Sequence, residues 1–399
     1  MKRTRGLTTH ALTRPMITLM PIAIGVIVAN LYYLQPLLHE VKGDFAIGTV
    51  ATSVLITLVQ VGYAAGLAFV VPLGDLFARR RLVVIIFLVA ALAMGLGSLV
   101  HNFALFAVLT VVVGLSSVGG HILIPFAADL ADEGQRGRVV ARLMTGLLTG
   151  VLLSRTFSGI GAQVVGWRGV YVAAALMLVV MAVALSRVLP DEAPRAHLTY
   201  RQLLGDSFHL FTGFRELRRR CWFGAMSFAS FSVLWTTLAF QLSGTPFHYS
   251  NIKIGFFGLL GIGGLLAANA AGSLADRQRT QTVTVYSTTL VLCSFVIMWS
   301  GRHDVWLLAL AIFLLDAGAQ GVQITNQTII YGLADEGQRG RITSAYMVNC
   351  FCGAAVGSLG AGFTYAHDAW AGVCILGAVV AVLMVVPALL WRPAATSAR

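Results

Sequence analysis

Ala131-Asp132-Glu133-Gly134-Gln135-Arg136-Gly137-Arg138 returns unchanged as Ala334-Asp335-Glu336-Gly337-Gln338-Arg339-Gly340-Arg341. Eight identical residues 203 positions apart in a chain of 399 are no coincidence. A second echo supports the first. Leu73-Gly74-Asp75, followed by Arg79-Arg80-Arg81, is answered 201 positions later by Leu274-Ala275-Asp276 with Arg277 and Arg279. Two echoes at nearly one offset mark a duplication of about half the chain. Each copy of the octapeptide lies between two long apolar stretches, so the repeated unit is a series of apolar segments joined by short charged loops.

Composition says where such a unit can exist. Hydrophobic residues make up 57% of the chain and charged residues 11%, with a mean hydropathy of +0.82. That leaves too little polar surface to cover the protein in water, so lipid is its solvent. The five cysteines (Cys221, Cys293, Cys350, Cys352, Cys374) fall in or beside apolar stretches. They have no metal-ligand spacing and imply no disulfide framework. The run after Met1-Lys2-Arg3-Thr4-Arg5 is longer than a signal peptide's and lacks a small-residue cleavage site, so it reads as the first membrane helix.

A membrane helix needs roughly 20 mostly apolar residues. Twelve stretches qualify, spans 1 to 6 at about 15–38, 48–74, 82–100, 104–130, 139–165 and 169–189, and spans 7 to 12 at about 221–243, 254–275, 281–300, 305–332, 342–365 and 370–391. The expectation is an all-α integral membrane protein with 12 transmembrane helices. Residues 1–189 form one six-helix bundle, 190–220 a cytoplasmic linker, and 221–399 a second bundle. With both termini cytoplasmic, 23 of the 28 Lys and Arg fall on that side. Lys42, Arg168, Lys253 and Arg302 lie outside and Arg155 within a helix. This satisfies the positive-inside rule. It also turns the +12 net charge from a nucleic-acid signal into a rim facing anionic headgroups. Six helices per half return the chain to its starting side, so the halves are parallel repeats related by a pseudo-two-fold axis along the membrane normal.

With these loops after spans 2 and 8, the chain resembles the major facilitator superfamily of secondary transporters. Gly272-Ser273-Leu274-Ala275-Asp276-Arg277 matches that family's loop signature well. The first copy keeps Leu73, Gly74, Asp75, Arg79 and Arg80 but has Val71, Leu76 and Ala78 where that signature has Gly, Arg and Gly. Asn30-Leu31-Tyr32-Tyr33-Leu34-Gln35-Pro36 and Gly166-Trp167-Arg168 look like a bacterial branch near the drug:proton antiporters. Two departures stand out: span 4 has no arginine in Thr110–Gly114, and the glycines of span 5 (Gly146, Gly150, Gly159) lack the antiporter motif's proline and have Arg155 nearby. The resemblance implies that spans 1, 4, 7 and 10 line a central cavity. It also implies that Asp75 contacts the start of span 11, and that Arg79, Arg80, Asp276, Arg277 and the repeated loops with Arg136, Arg138, Arg339 and Arg341 latch the cytoplasmic gate. Simple positive-inside anchoring is the alternative for these charges.

Asp316 is the sharpest signal read from the residues themselves. It is the one acidic residue far from both ends of a span, where a carboxylate costs about 3 kcal/mol to insert. It is a proton-coupling candidate, a structural ion pair being the other reading. Gln320, Gln323 and Gln327 continue its helical face and Asn326 flanks it; such a stripe faces protein or a watery cavity, not lipid. Arg155 and Asp316 each lie about 11 residues from the outer end of their spans, roughly 17 Å deep, so an ion pair across the halves is open to them. His121 is the one histidine deep in a span, and could bind solute or simply pack. Asn30 and Tyr33, with Phe231 and Trp235, would wall the same cavity, a lining suited to neutral or lipophilic solutes.

No phosphate-binding loop, nucleophile elbow or metal-ligand cluster is visible, so neither enzyme chemistry nor a cofactor is expected. The expected partners are a small-molecule solute, protons and the bilayer, with the chain monomeric. Export of small organic molecules from the inner membrane is the leading reading. A facilitator or importer of sugar or nucleoside, or a non-transporting receptor, stays open beside it.

Overall fold

The computed structural model describes residues 12–132, 134–191, 199–264, 280–333 and 339–391. Among them are helices and no strand. Span 1 is α1 (Arg14–Ala29) plus α2 (Leu34–Asp44). Span 2 is α3 (Thr49–Ala65), a π-helical turn (Gly66–Val70) and α4 (Leu73–Leu76); span 3 is α5 (Arg79–Leu99). Span 4 is α6 (Phe103–Ser116) and α7 (Gly119–Leu130). Spans 5 and 6 are one continuous element, α8 (Arg136–Val188), folded back at Gly166. The segment between the halves contains α9 (Tyr200–Gly213). Span 7 is α10 (Arg215–Ser243), which starts six residues before the apolar stretch does. Span 8 begins as α11 (Asn251–Phe256) and tightens to a 3₁₀ turn over Phe257–Gly261. Spans 9 and 10 are α12 (Thr280–Ser300) and α13 (Val305–Tyr331). Spans 11 and 12 are α14 (Arg339–Leu390), folded back at Ala369.

The breaks have local causes. Pro36 has no N–H for the carbonyl of Tyr32, and its ring crowds that carbonyl, so residues 30–33 leave the helix as turns. Pro72 removes a donor in the same way, and Val71 N bonds back to Gly66 O as a π turn. In span 4, Ser116 and Ser117 turn their hydroxyls onto the carbonyls of Val112 and Val113, a bond that bends helices. Gly166 (φ 72°, ψ 165°) occupies a region essentially reserved for glycine. Its repeat mate, 203 positions on, is Ala369 at φ 51°. The duplication therefore carries through to the turn geometry.

The described spans run between two ends. We call the end holding the loops around Phe45, Gly166, Gly244 and Ala369 distal, and the end at which the described chain starts and stops proximal. Each half has an apolar core of its own: one is built on spans 1 to 6 around Phe87, Phe106 and Phe126, joined by Phe240 of span 7, the other on spans 7 to 12 around Phe223, Phe295 and Met298, and Tyr365 packs against both. A third, smaller cluster joins them, with Tyr63 and Val118 of the first half against Phe351 of the second. Large apolar side chains such as Leu92, Val164, Leu176, Val356 and Leu389 face outward, as a bundle dissolved in lipid requires.

Candidate functional site

Where the halves meet at mid-span, the chain buries a guanidinium. Arg155 of α8 is 3% exposed. Its Nε donates to Gln35 Oε1 at 2.7 Å, and its Cζ lies 3.8 Å from the Trp235 ring centre, 4.8 Å from Tyr32 and 5.5 Å from Phe231. Tyr32 and Gln35 come from the broken span 1, Phe231 and Trp235 from α10. An arginine in lipid's dielectric is tolerated only inside such a set of oriented dipoles and ring faces. One end stays open: Nη2 has no hydrogen-bond partner.

Asp316 of α13 completes the arrangement. It is 5% exposed, and its Oδ1 is also without a hydrogen-bond partner. It sits near enough to Arg155 for the two charges to interact, yet they form no ion pair within 4.0 Å. Trp235 Nε1 lies within reach of Asp316 but closes no hydrogen bond. Between the two charged groups runs span 8, whose glycines recur every third residue. In the 3₁₀ turn Gly258 and Gly261, three apart, eclipse one another, and Gly255 and Gly264 extend the bare strip on either side of it. An added Cβ would stand 2.8 Å from Arg155 O at Gly255, 2.8 Å from Arg155 Cβ at Gly258, 3.2 Å from Asp316 Oδ2 at Gly261 and 2.8 Å from Gln320 Cγ at Gly264. A small cavity of about 10 Å³, room for about one water, opens beside Gln35, Arg155 and Trp235. In this conformation the site is closed around itself.

The remaining candidates divide. Phe231 and Trp235 join Arg155, whereas Tyr33 turns away to pack near Phe157, ring centres 6.1 Å apart. Asn30 is buried with both amide atoms unpartnered. His121 sits edge-on to Tyr63 at 6.0 Å, and Tyr63 in turn lies 4.4 Å from Phe351 of the other half. On α13, Gln323 Oε1 accepts from Tyr346 at 2.7 Å; Asn326, fully buried, donates to Tyr346 Oη at 3.2 Å and to Arg220 O at 3.3 Å. These two amides bind spans 7, 10 and 11 together within one half. Gln320 and Gln327 stay half-buried.

At the proximal end, Arg79 is buried and donates to Asp129 at 2.7 Å, whereas Asp75 reaches Arg79 only at 3.6 Å with 43% of its side chain exposed. That bond ties α5 to α7 inside one half. Among the described residues Asp75 makes no bond to span 11. Arg80 bonds Ser186 O and approaches Asp191 at 3.6 Å. Arg136 and Arg138 are exposed and Arg341 is half-buried. Asp276, Arg277 and the side chain of Arg339 lie outside the described residues.

Among the described residues, the polar links between the halves gather in the distal half of the bundle. Glu40 accepts from Asn251, and Ser243 lies 3.3 Å from His39. Thr156 donates to Gly255 O at 3.0 Å, and Gln60 donates to Ser232 at 2.9 Å and accepts from Ser358 at 3.3 Å. Two interfaces use the same repeat position. Gly159 packs on Asn251 O of span 8, and its mate Gly362 packs on Ser53 of span 2. Arg155 and Ser358 are mates in the same way, so the duplicated site carries a cation on one side and a hydroxyl on the other. Tyr32 and Gln35 were missed as site residues by the sequence reading; Pro36 is the signal that would have found them, because it resets the helical phase before them.

Nine described helices are long and apolar enough to cross a membrane, two of them double-length, and a shorter apolar helix covers Asn251–Gly264. No group of three His, Cys, Asp or Glu among the described residues is placed to hold a metal. A sequence model of the Major Facilitator Superfamily matches residues 22–351. The "Uncharacterized transporter YgaY" of Escherichia coli O157:H7 is 43% identical over 374 residues, covering 94% of this chain and 95% of that one. The "Probable transporter SCO4007" of Streptomyces coelicolor is 32% identical, covering 91% and 84%. The crystal structure of nucleoside transporter NupG superposes with a TM-score of 0.74 at 12% identity, covering 95% of this chain and 100% of that one, a likeness of fold.

Proposed function

Because this chain belongs to the Major Facilitator Superfamily, we propose that it is a proton-coupled secondary transporter that exports small organic molecules, from a branch near the drug:proton antiporters. In this reading it sits in the bacterial inner membrane as a monomer, with both termini cytoplasmic. The distal end is then the outer face, and its inter-half bonds close the site to the outside.

The observation that carries this reading is the unfilled pair. Arg155 Nη2 and Asp316 Oδ1 are buried at mid-span, on opposite halves, with neither satisfied by the protein. A soluble or purely structural ion pair would close, since leaving two buried charges apart costs several kcal/mol. A transporter needs such groups open, because each must exchange partners during the cycle. Asp316 is the group that gains and loses the proton, and Arg155 holds the field that favours its release. Solute and proton alternate at the carboxylate, and the halves rock about the glycine strip of span 8 to present it to each side in turn.

The test uses inverted membrane vesicles energised to an acid interior, with a pH-sensitive dye reporting proton loss as compounds are added. An exporter that exchanges solute for protons gives a proton efflux with its substrate, and Asp316→Asn abolishes that efflux in well-folded protein. Solute exchange without net proton movement survives in the variant. Efflux at the original rate from Asp316→Asn sinks the coupling assignment. Solute flux with no proton response identifies a facilitator instead.

A further inference from the structure

The unfilled pair is specific about charge. Arg155 offers one open donor, Nη2, and Asp316 one open acceptor, Oδ1; both side chains are more than nine-tenths buried. They lie near enough to interact but not in contact, with Trp235 reaching both. Tyr32 and Phe231, each half-buried, turn ring faces toward the same place. Gly261 brings Asp316 Oδ2 to the wall of the gap, where any side chain would crowd it.

Resting on the transport reading above, we propose that this gap takes a zwitterionic solute with an aromatic or apolar body, of which an α-amino acid is the simplest example. Its carboxylate meets Arg155 Nη2, its ammonium meets Asp316 Oδ1, and its apolar body lies against Tyr32 and Phe231. A solute with a negative end alone would leave Asp316 facing it with a like charge. One with a positive end alone would leave Arg155 doing the same. Either would bury a net charge in a low-dielectric site, which is costly. A zwitterion closes both open groups with no net charge. Its ammonium also competes with a proton for Asp316, so proton and solute exclude one another, as exchange requires. The halves must part to admit it, since the cavity beside Arg155 and Trp235 has room for about one water and Asp316 does not line it.

The test measures binding to the purified full chain in lipid nanodiscs with three probes that share a phenyl ring and a short chain: L-phenylalanine, 3-phenylpropionate and phenethylamine. Phenylalanine is expected to bind at least about tenfold more tightly than either singly charged probe. Asp316→Asn should remove its advantage over phenylpropionate, and Arg155→Gln its advantage over phenethylamine. Should Arg155→Gln not fold, Arg155→Lys keeps the buried charge; it should weaken phenylalanine about tenfold and leave phenethylamine unchanged. The proposal falls if a singly charged probe matches phenylalanine, if Arg155→Lys weakens both equally, or if folded protein binds none of the three at about 10 mM. A proton efflux in vesicles elicited by compounds of another class, and lost in Asp316→Asn, would also overturn it while leaving the transport reading standing.

Discussion

The guanidinium carbon of Arg155 stands 3.8 Å from the centre of the Trp235 ring, and the two residues belong to opposite halves of the molecule. The contact therefore exists only while the halves hold their present relation. A desolvated cation–π contact is worth about 2 kcal/mol, enough to bias a two-state equilibrium by more than tenfold. Trp235→Ala is a poor probe, since emptying a buried tryptophan site costs about 3–5 kcal/mol in packing. Trp235→Phe keeps an aromatic ring near Arg155 while removing the indole N–H and part of the ring face beneath the guanidinium. It should melt within a few degrees of the native protein, while proton efflux driven by substrate slows. Unchanged efflux would mean that neither the indole N–H nor the full indole face takes part in the cycle.

At the proximal end the weight falls on Asp129 rather than on Asp75. Arg79 is buried and meets Asp129 at 2.7 Å, while Asp75 is 43% exposed and 3.6 Å away. Asp129→Ala strands a buried guanidinium and should cost about 1–3 kcal/mol. Asp75→Ala should cost less than about 1 kcal/mol here. Its expected effect is on the cycle, as increased labelling of engineered proximal-side cysteines by a membrane-impermeant thiol reagent. Melting curves compare the two variants, and equal losses would contradict this division of roles.

At Gly159 and Gly255 the span 5–span 8 interface has no room for a side chain. A Cβ on Gly159 would stand 2.4 Å from Asn251 O, and one on Gly255 2.8 Å from Arg155 O. Both neighbours are backbone, so Gly159→Ala must push the distal end of span 5 away from α11. Spin labels on exposed positions of the two spans should report a longer separation. Flux should fall, because the closed distal state is no longer favoured. A native separation in Gly159→Ala would show that the interface yields elsewhere.

The spans were legible because lipid leaves the backbone few choices. Spans 9 and 10, read at about 281–300 and 305–332, are α12 (Thr280–Ser300) and α13 (Val305–Tyr331). Arg155 and Asp316 stood out for the same reason, since a charge in an apolar run must have a purpose. Tyr32 and Gln35 were not legible from helical spacing, because Pro36 breaks the phase between Asn30 and Gln35. The polar face of span 10 was visible, but spacing cannot say which neighbour it meets. Gln323 and Asn326 turn to Tyr346 inside their own half, a partner 20 or more residues away that no periodicity names. Their bonds to Tyr346 make Gln323→Ala a test of helix packing as much as of solute binding.

Gly166 and Ala369 occupy the same place in the duplicated sequence and both have positive φ, 72° and 51°. Only one of them is a glycine. At Ala369 (φ 51°, ψ −142°) the β-carbon crowds the backbone, a strain of about 1–3 kcal/mol that the second half carries and the first does not. Ala369→Gly removes it and should raise the stability of the protein by about 1 kcal/mol, less a few tenths for the freer unfolded chain. Gly166→Ala imposes the corresponding strain, since φ 72° with ψ 165° lies in a region that alanine scarcely enters. Neither position touches Arg155 or Asp316, so proton efflux at moderate temperature should stay native in Ala369→Gly. Melting of the two variants in one detergent checks the pair. A lower midpoint for Ala369→Gly would mean that its methyl packs well enough to outweigh the strain.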